Sequence, residues 1–460
     1  MPTSSELPDC FYSKTPPDLI TPCNPTPKHT IYLSNLDDQT FLRFSIKYLY
    51  LFKKSTNVDL LKQSLSRVLV DYYPLAGRLR KSRESDHKLE VECNGEGAVF
   101  AEAFMDITAD EFDEISDKPN RSFRKLLYKV EAPTFLDIPP LVVQVTNLRC
   151  GGMILCTAIN HGLCDGIGTA QFLQAWAHLT TKSTTELPII PFHHRHVLKP
   201  RCPPQVTFSH PTFAKSTPDN KPSFQSDPNL FHYLQSQPLV PSSLIFKASS
   251  ILSLKRKCVP SLKCTNFDIV SAHTWRCWVR SFDLSPSVEV KLLFSMNIRR
   301  KLELEIPEGY YGNAFVLGCV EATVKELTED NLHGVVKLVQ HAKSKVTGDY
   351  VKSMIDHLED KTLKVDLSRS LVISPWSKLG LEDLDFGEGK ALQMGPLTSD
   401  IYCLFLPIMT DVDAVRVLVS MPESVVSKFE KYMTEFEDNG MVRNGEPNGN
   451  CNGDLSLHSQ

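Results

Sequence analysis

The segment AINHGLCDGIGTAQFLQAW, residues 158–176, holds a histidine and an aspartate four apart, His161 and Asp165. A neutral imidazole, with an unperturbed pKa of about 6.5, takes a proton from an alcohol or amine at neutral pH. It does so only where the ring is held and its lone pair is aimed. His161 directly follows the apolar run MILCTAIN, which places it at a strand end, where side chains line clefts. Gly162, Leu163 and Cys164 imply a turn before Asp165. The aspartate therefore either orients the imidazole or fastens the loop by pairing with an arginine elsewhere. Gly166 and Gly168 permit close backbone approach at the head of the following helix, whose free N–H groups also suit a polar ligand. Taken alone, the spacing is common by chance and fits a capped buried turn better than a catalytic base.

The elements that position this segment follow from hydrophobic periodicity. FLRFSIKYLYLF (41–52) reads as a strand. Leu60, Leu61, Leu65, Val68 and Leu69 have helical spacing, with Asn57 or Asp59 as the cap. HKLEVECNGEGAVFAEA reads as a hairpin turning at NGEG, and strands recur at 141–147 and 152–159. Ile167, Phe172, Leu173 and Trp176 continue as a helix. Residues 184–242 are rich in Pro, Ser and His and read as a long crossover. FDIVSAHTWRCWVRSF reads as a helix, EVKLLFSMNIRRKL as a strand, and LHGVVKLVQHAKSKVTGDYVKSMIDHLED as one long helical stretch. The strands IYCLFLP and AVRVLVSMP and a helix near 422–437 close the second half. The resulting division is an N-terminal domain over 1–183, a crossover over 184–242, a C-terminal domain over 243–437 and a disordered polar tail over 438–460.

Composition narrows the function classes. The 460 residues exceed one compact core and suit two domains. A net charge of −4, with no concentrated basic block and the short LKRK at 254–257 read as a solvated patch, gives no reason to expect a nucleic-acid partner. No apolar run reaches the roughly 20 residues of a membrane helix, and the N-terminus lacks a signal-peptide pattern. A cytoplasmic location, with association at the ER surface as a variant, is the expectation. The 13 cysteines are odd in number and irregular in spacing, and read as buried free thiols. PFHHRHVLKP has three histidines but no partner motif, so it is expected to be a solvated loop, and no metal site is expected.

Several segments, in order, resemble the BAHD acyl-CoA-dependent acyltransferases of plants. NHGLCDG resembles that family's HxxxDG signature. VLVDYYPLAGRLR, CNGEGAVFAEA, FDIVSAHTWRC, NIRRKL and YYGNA are similar to its successive segments, and DFGEGK stands at its D-F-G-W-G motif. The likeness spans about residues 25–437. It implies an α/β (α+β) architecture: two chloramphenicol-acetyltransferase-like domains, each a mixed sheet flanked by helices, joined by the crossover. Part of 371–400 would pack with the N-terminal domain.

By the same resemblance His161 matches the general base, and Asp165 a structural aspartate paired with Arg299, with Gly166 beside it. Trp376, in the SPW that replaces T-x-W, is the candidate oxyanion donor, and Ser374 and Asn313 are candidate substrate contacts. Asp385, Phe386, Gly387 and Gly389 form the fold-supporting motif, where Glu388 departs from the family tryptophan. Ala314 replaces a cysteine, a small-for-small change. Cys164 is expected to pack, not to act as a nucleophile. The implied co-substrate is acyl-CoA, with no permanently bound cofactor, and the partner is a small-molecule alcohol acting on a monomer. PTPKHTIYLSNLDDQTFLRFSIKYLYLFKKS is most similar to the branch with brassinosteroid-related enzymes and hydroxycinnamoyl transfer to fatty alcohols and ω-hydroxy fatty acids. A bulky apolar acceptor, O-acylated, follows. The rival expectation is a non-catalytic BAHD-like accessory protein of fatty-acid elongation and wax synthesis.

Overall fold

The computed structural model describes residues 6–83, 87–182, 186–215, 237–258, 262–301, 305–398 and 402–435. The expected disordered tail and residues 216–236 of the crossover lie outside the described residues.

The first half is built on strands β1 (Ser45–Phe52), β2 (Ala98–Met105), β3 (Leu141–Leu148) and β4 (Met153–Asn160), with helices α1 (Val58–Asp71) and α2 (Gly166–Thr181). Asn57 caps α1 through its side chain, which accepts the Leu60 N–H at 3.0 Å. The central order is β2, β3, β4, β1, with β2–β3 parallel and the other two pairs antiparallel. β4 is buried at every position, because α1 and α2 cover one face and a second apolar cluster covers the other. Such a strand reads as a continuous apolar run and not as an alternation.

The second half carries β5 (Leu239–Phe246), α3 (Asn266–Ser281), β6 (Glu289–Asn297), β7 (Phe315–Thr323), α4 (Leu332–Lys345), α5 (Gly348–His357), β8 (Ser370–Pro375), β9 (Gln393–Pro396), β10 (Cys403–Ile408), β11 (Asp411–Pro422) and α6 (Glu423–Thr434). Its sheet runs β5, β11, β10, β8, β6, β7. α3, α4 and α6 cover one face of that sheet with Trp275, Trp278, Val336 and Phe429. β9 does not join it. It pairs antiparallel with β1, Met394 opposite Tyr50, and so extends the first sheet. The molecule therefore has two sheet-containing α/β domains, and the first sheet is extended by a strand from the second half of the chain.

Three local expectations need correction. Residues 87–103 are not a hairpin. Leu89–Glu92 pairs with Arg78–Lys81 and Thr30–Tyr32 in a small separate sheet, while β2 enters the large one. The alternation of buried Leu89 and Val91 with Glu90 and Glu92 suits a half-exposed strand, and Glu90 pairs with Arg80 at 2.8 Å. The long helical stretch after residue 331 is two helices. Thr347 caps α5 by accepting the Tyr350 N–H at 3.2 Å, so the chain restarts instead of continuing. Among the described cysteines all twelve are free thiols, but Cys23, Cys150 and Cys202 are exposed.

Candidate active site

His161 lies one residue beyond β4, and its backbone N–H donates to the Phe44 carbonyl at 2.8 Å. The hydrogen bond continues the β1–β4 ladder by one step, which fixes the direction in which the side chain leaves. The ring is partly exposed, set edge-on to Phe44 at 5.4 Å and beside Phe315 at 5.8 Å. Phe44 in turn stacks with Tyr402 at 6.4 Å. The imidazole thus emerges at a place where segments of both halves meet. Burial lowers its pKa below the usual histidine value, opposed by its own backbone, Asp165 and Asn313. A histidine so placed is neutral at neutral pH, as a base must be before it takes a proton.

Asp165 does not face the imidazole's task. It is the cap of α2, its Oδ1 accepting the Gly168 N–H at 2.9 Å. The same carboxylate receives Arg299 through both Nη atoms, at 2.7 and 2.9 Å, and the Ala314 N–H at 3.0 Å. Arg299 also donates to the carbonyls of Tyr310 and Gly312 at 3.2 and 2.8 Å. This is a planar two-point pair with nearly all of its hydrogen-bonding capacity used, and both side chains are largely shielded from water. The helix N-terminus is therefore occupied from within the chain. The glycines after Asp165 make room for the other domain: a Cβ at Gly168 would come within 1.8 Å of the Tyr311 carbonyl oxygen.

The remaining candidates separate into those the fold brings to His161 and those it does not. Asn313, expected against substrate, is wholly enclosed. Its Nδ2 donates to the His161 carbonyl at 2.7 Å and to Asp37 at 3.0 Å, so it holds the backbone of His161. Trp376 packs on Tyr48 at 4.7 Å within the first domain's core. Ser374 lies half-buried on β8, opposite Leu404. Cys164 is fully buried, and burial pushes its thiol far up, which leaves no nucleophilic thiolate. Among the described residues no group of three or more His, Cys, Asp or Glu is placed to hold a metal ion, and no helix is long and apolar enough to cross a membrane.

PFHHRHVLKP is not a solvated loop. Arg195 and Leu198 are buried, and His193 Nδ1 lies 3.0 Å from the Tyr311 hydroxyl. Arg195, Asp37 and Phe44 are the site residues that periodicity missed. Arg195 meets Leu163 at 32 positions and Asp37 meets Asn313 at 276, and no local spacing announces such contacts.

Residues 13–436 match the model of the Transferase family. The chain belongs to that family, the BAHD acyltransferases. It is 35% identical over 389 residues to benzyl alcohol O-benzoyltransferase of Petunia hybrida, covering 83% of this chain and 82% of that protein. It is 34% identical to fatty alcohol:caffeoyl-CoA acyltransferase of Arabidopsis thaliana, covering 92% and 98%. Vinorine synthase superposes with a TM-score of 0.70 at 20% identity, over 93% of this chain and 98% of that one. F. graminearum TRI101 complexed with ethyl coenzyme A does so at 0.72 and 14%, over 88% and 97%. The fold of this BAHD acyltransferase is accordingly the one those structures share.

The altered D-F-G-W-G motif of this BAHD protein is intact in its architecture. Asp385 Oδ1 accepts the N–H groups of Gly387 and Gly389 at 2.7 and 3.1 Å, and both glycines have positive φ, 106° and 109°. Phe386 anchors the turn against Trp176 at 5.0 Å. Glu388 is exposed on this turn. Glu388→Trp should leave turnover within about twofold and melting unchanged, since surface substitutions cost about 0.5 kcal/mol or less. Paired kinetics and thermal melts check this; complete loss of activity would give the position a role of its own.

Proposed function

We propose that this BAHD acyltransferase moves an acyl group from acyl-CoA to the hydroxyl of a bulky apolar alcohol, a long-chain fatty alcohol, an ω-hydroxy fatty acid or a sterol-like acceptor. The observation that carries the reading is the partly exposed imidazole of His161, set among Phe44, Phe315 and Tyr402. Aromatic walls favour an apolar acceptor, and the base they surround acts on its hydroxyl. The Arabidopsis relatives named for fatty alcohol and for ω-hydroxypalmitate acylation support the acceptor class.

In this mechanism His161 takes the hydroxyl proton while the oxygen attacks the thioester carbonyl. The C–S bond then breaks, and the thiolate recovers the proton from His161. No acyl-enzyme forms. Among the described residues His161 Nδ1 and Asn313 Oδ1 are both enclosed with no hydrogen-bond partner within reach, and Asn313 flanks the ring. Pairing of these two atoms would keep the proton on Nδ1 and the lone pair on Nε2.

Purified protein should be offered acetyl-, fatty acyl- and hydroxycinnamoyl-CoA with fatty alcohols, ω-hydroxy fatty acids, sterols and small phenolic alcohols, with free CoA as the readout. Release that needs both acceptor and His161 is the expected result. Silence across the grid from folded protein that still binds CoA would overturn the reading in favour of a non-catalytic partner.

A further inference from the structure

The crossover carries a charge into the interior that proton transfer at His161 does not itself require. Arg195 is 2% exposed. Its Nη2 donates to the Leu163 carbonyl at 2.9 Å, in the middle of the turn between His161 and Asp165. The guanidinium carbon lies 4.4 Å from the Tyr311 ring centre and 5.1 Å from that of Tyr310. Gly312 closes another side, since a Cβ there would fall 1.6 Å from Nη1. Nε and Nη1 have no hydrogen-bond partner among the described residues. Burial works against the charge, but nearby Asp37 and the tyrosines keep the guanidinium protonated. An apolar residue would fill this place with less desolvation cost. What the arginine adds is one directed hydrogen bond to one carbonyl.

That carbonyl is the third handle on the turn. Asn313 holds the His161 carbonyl, and Arg299 holds the Asp165 carboxylate. Arg195 holds the residue between them, and it reaches in from the segment that joins the domains. We propose that Arg195 is a positioning residue for acyl transfer, fixing through the Leu163 carbonyl the direction in which the His161 imidazole is aimed. The proposal rests on the reading of His161 as base. Reacting groups tolerate little displacement: a shift of about 1 Å costs roughly 100-fold in rate.

The test uses the full chain with Arg195→Ala, Arg195→Lys, Gly312→Ala and the Arg195→Ala/Gly312→Ala double variant. Thermal melts accompany kcat and KM on the best pair from the CoA-release grid. Arg195→Ala should lower kcat about 10- to 100-fold while KM for both substrates stays within about twofold, and millimolar guanidinium should restore part of kcat. Arg195→Lys keeps the charge but not the fork and should not rescue. Gly312→Ala displaces the guanidinium and should lower kcat alone, yet add nothing when Arg195 is already alanine. Unchanged kcat in folded Arg195→Ala or Arg195→Lys would overturn the proposal, as would additive losses in the double variant. Hydrogen–deuterium exchange of the peptide spanning 158–169 separates this from failure of the transferase reading. It should quicken in Arg195→Ala even if no substrate pair turns over, and unchanged protection there counts against the proposal on its own. If Arg195→Ala does not fold, Arg195→Lys and Gly312→Ala carry both arms.

Discussion

His161→Ala loses about 100- to 10,000-fold in kcat, the range a positioned general base contributes, while the protein melts as the parent does. The ring is at the edge of the core and not its centre, and the backbone contacts with Phe44 and Asn313 survive the truncation. Single-turnover CoA release against circular-dichroism melts separates rate from folding. A variant that keeps its rate would remove the base. The pH profile of the parent supplies an independent check. Burial lowers the pKa of His161, so the base stays neutral to a lower pH than an ordinary histidine does. The acid limb of kcat/KM should therefore fall below pH 6.5, with activity lost only as pH drops through the lowered value. A limb at or above 6.5 would mean that another group sets it.

Asp165→Asn acts on the fold. The carboxylate gathers two contacts from Arg299, the cap of α2 and the Ala314 N–H. Removing its charge leaves a largely shielded guanidinium unpaired, at a cost of about 3–5 kcal/mol. Lower melting temperature and soluble yield are expected, with the rate falling alongside them. Arg299→Ala should do the same from the other side of the interface. If Asp165→Asn melted as the parent does and only the rate fell, the aspartate would instead be orienting His161.

The sequence carried the elements whose physics is local. A strand buried on both faces reads as MILCTAIN, and a histidine after it stands at a strand end because period-2 geometry leaves it nowhere else. Asn57 announces α1 because a cap needs one acceptor at one position. Where partners are distant, the reading failed. Glycines in NGEG suggested a tight turn, but their neighbours belong to two different sheets. The arginine within PFHHRHVLKP looked solvated because its acceptor, Leu163, and its rings, Tyr310 and Tyr311, are assembled only in the folded molecule. A polar residue in a motif suggests contact with ligand, whereas Asn313 holds the backbone carbonyl of His161.

β9 has a consequence for how the chain is made. Tyr48–Phe52 of β1 are buried in the finished protein, yet one edge of that strand finds its partner only in residues 393–396. More than 300 residues of synthesis separate the two. At typical elongation rates the ribosome leaves that apolar edge uncovered for tens of seconds, roughly. An uncovered apolar edge invites pairing with another chain. Chains cut short before residue 393 are therefore expected to clump instead of folding.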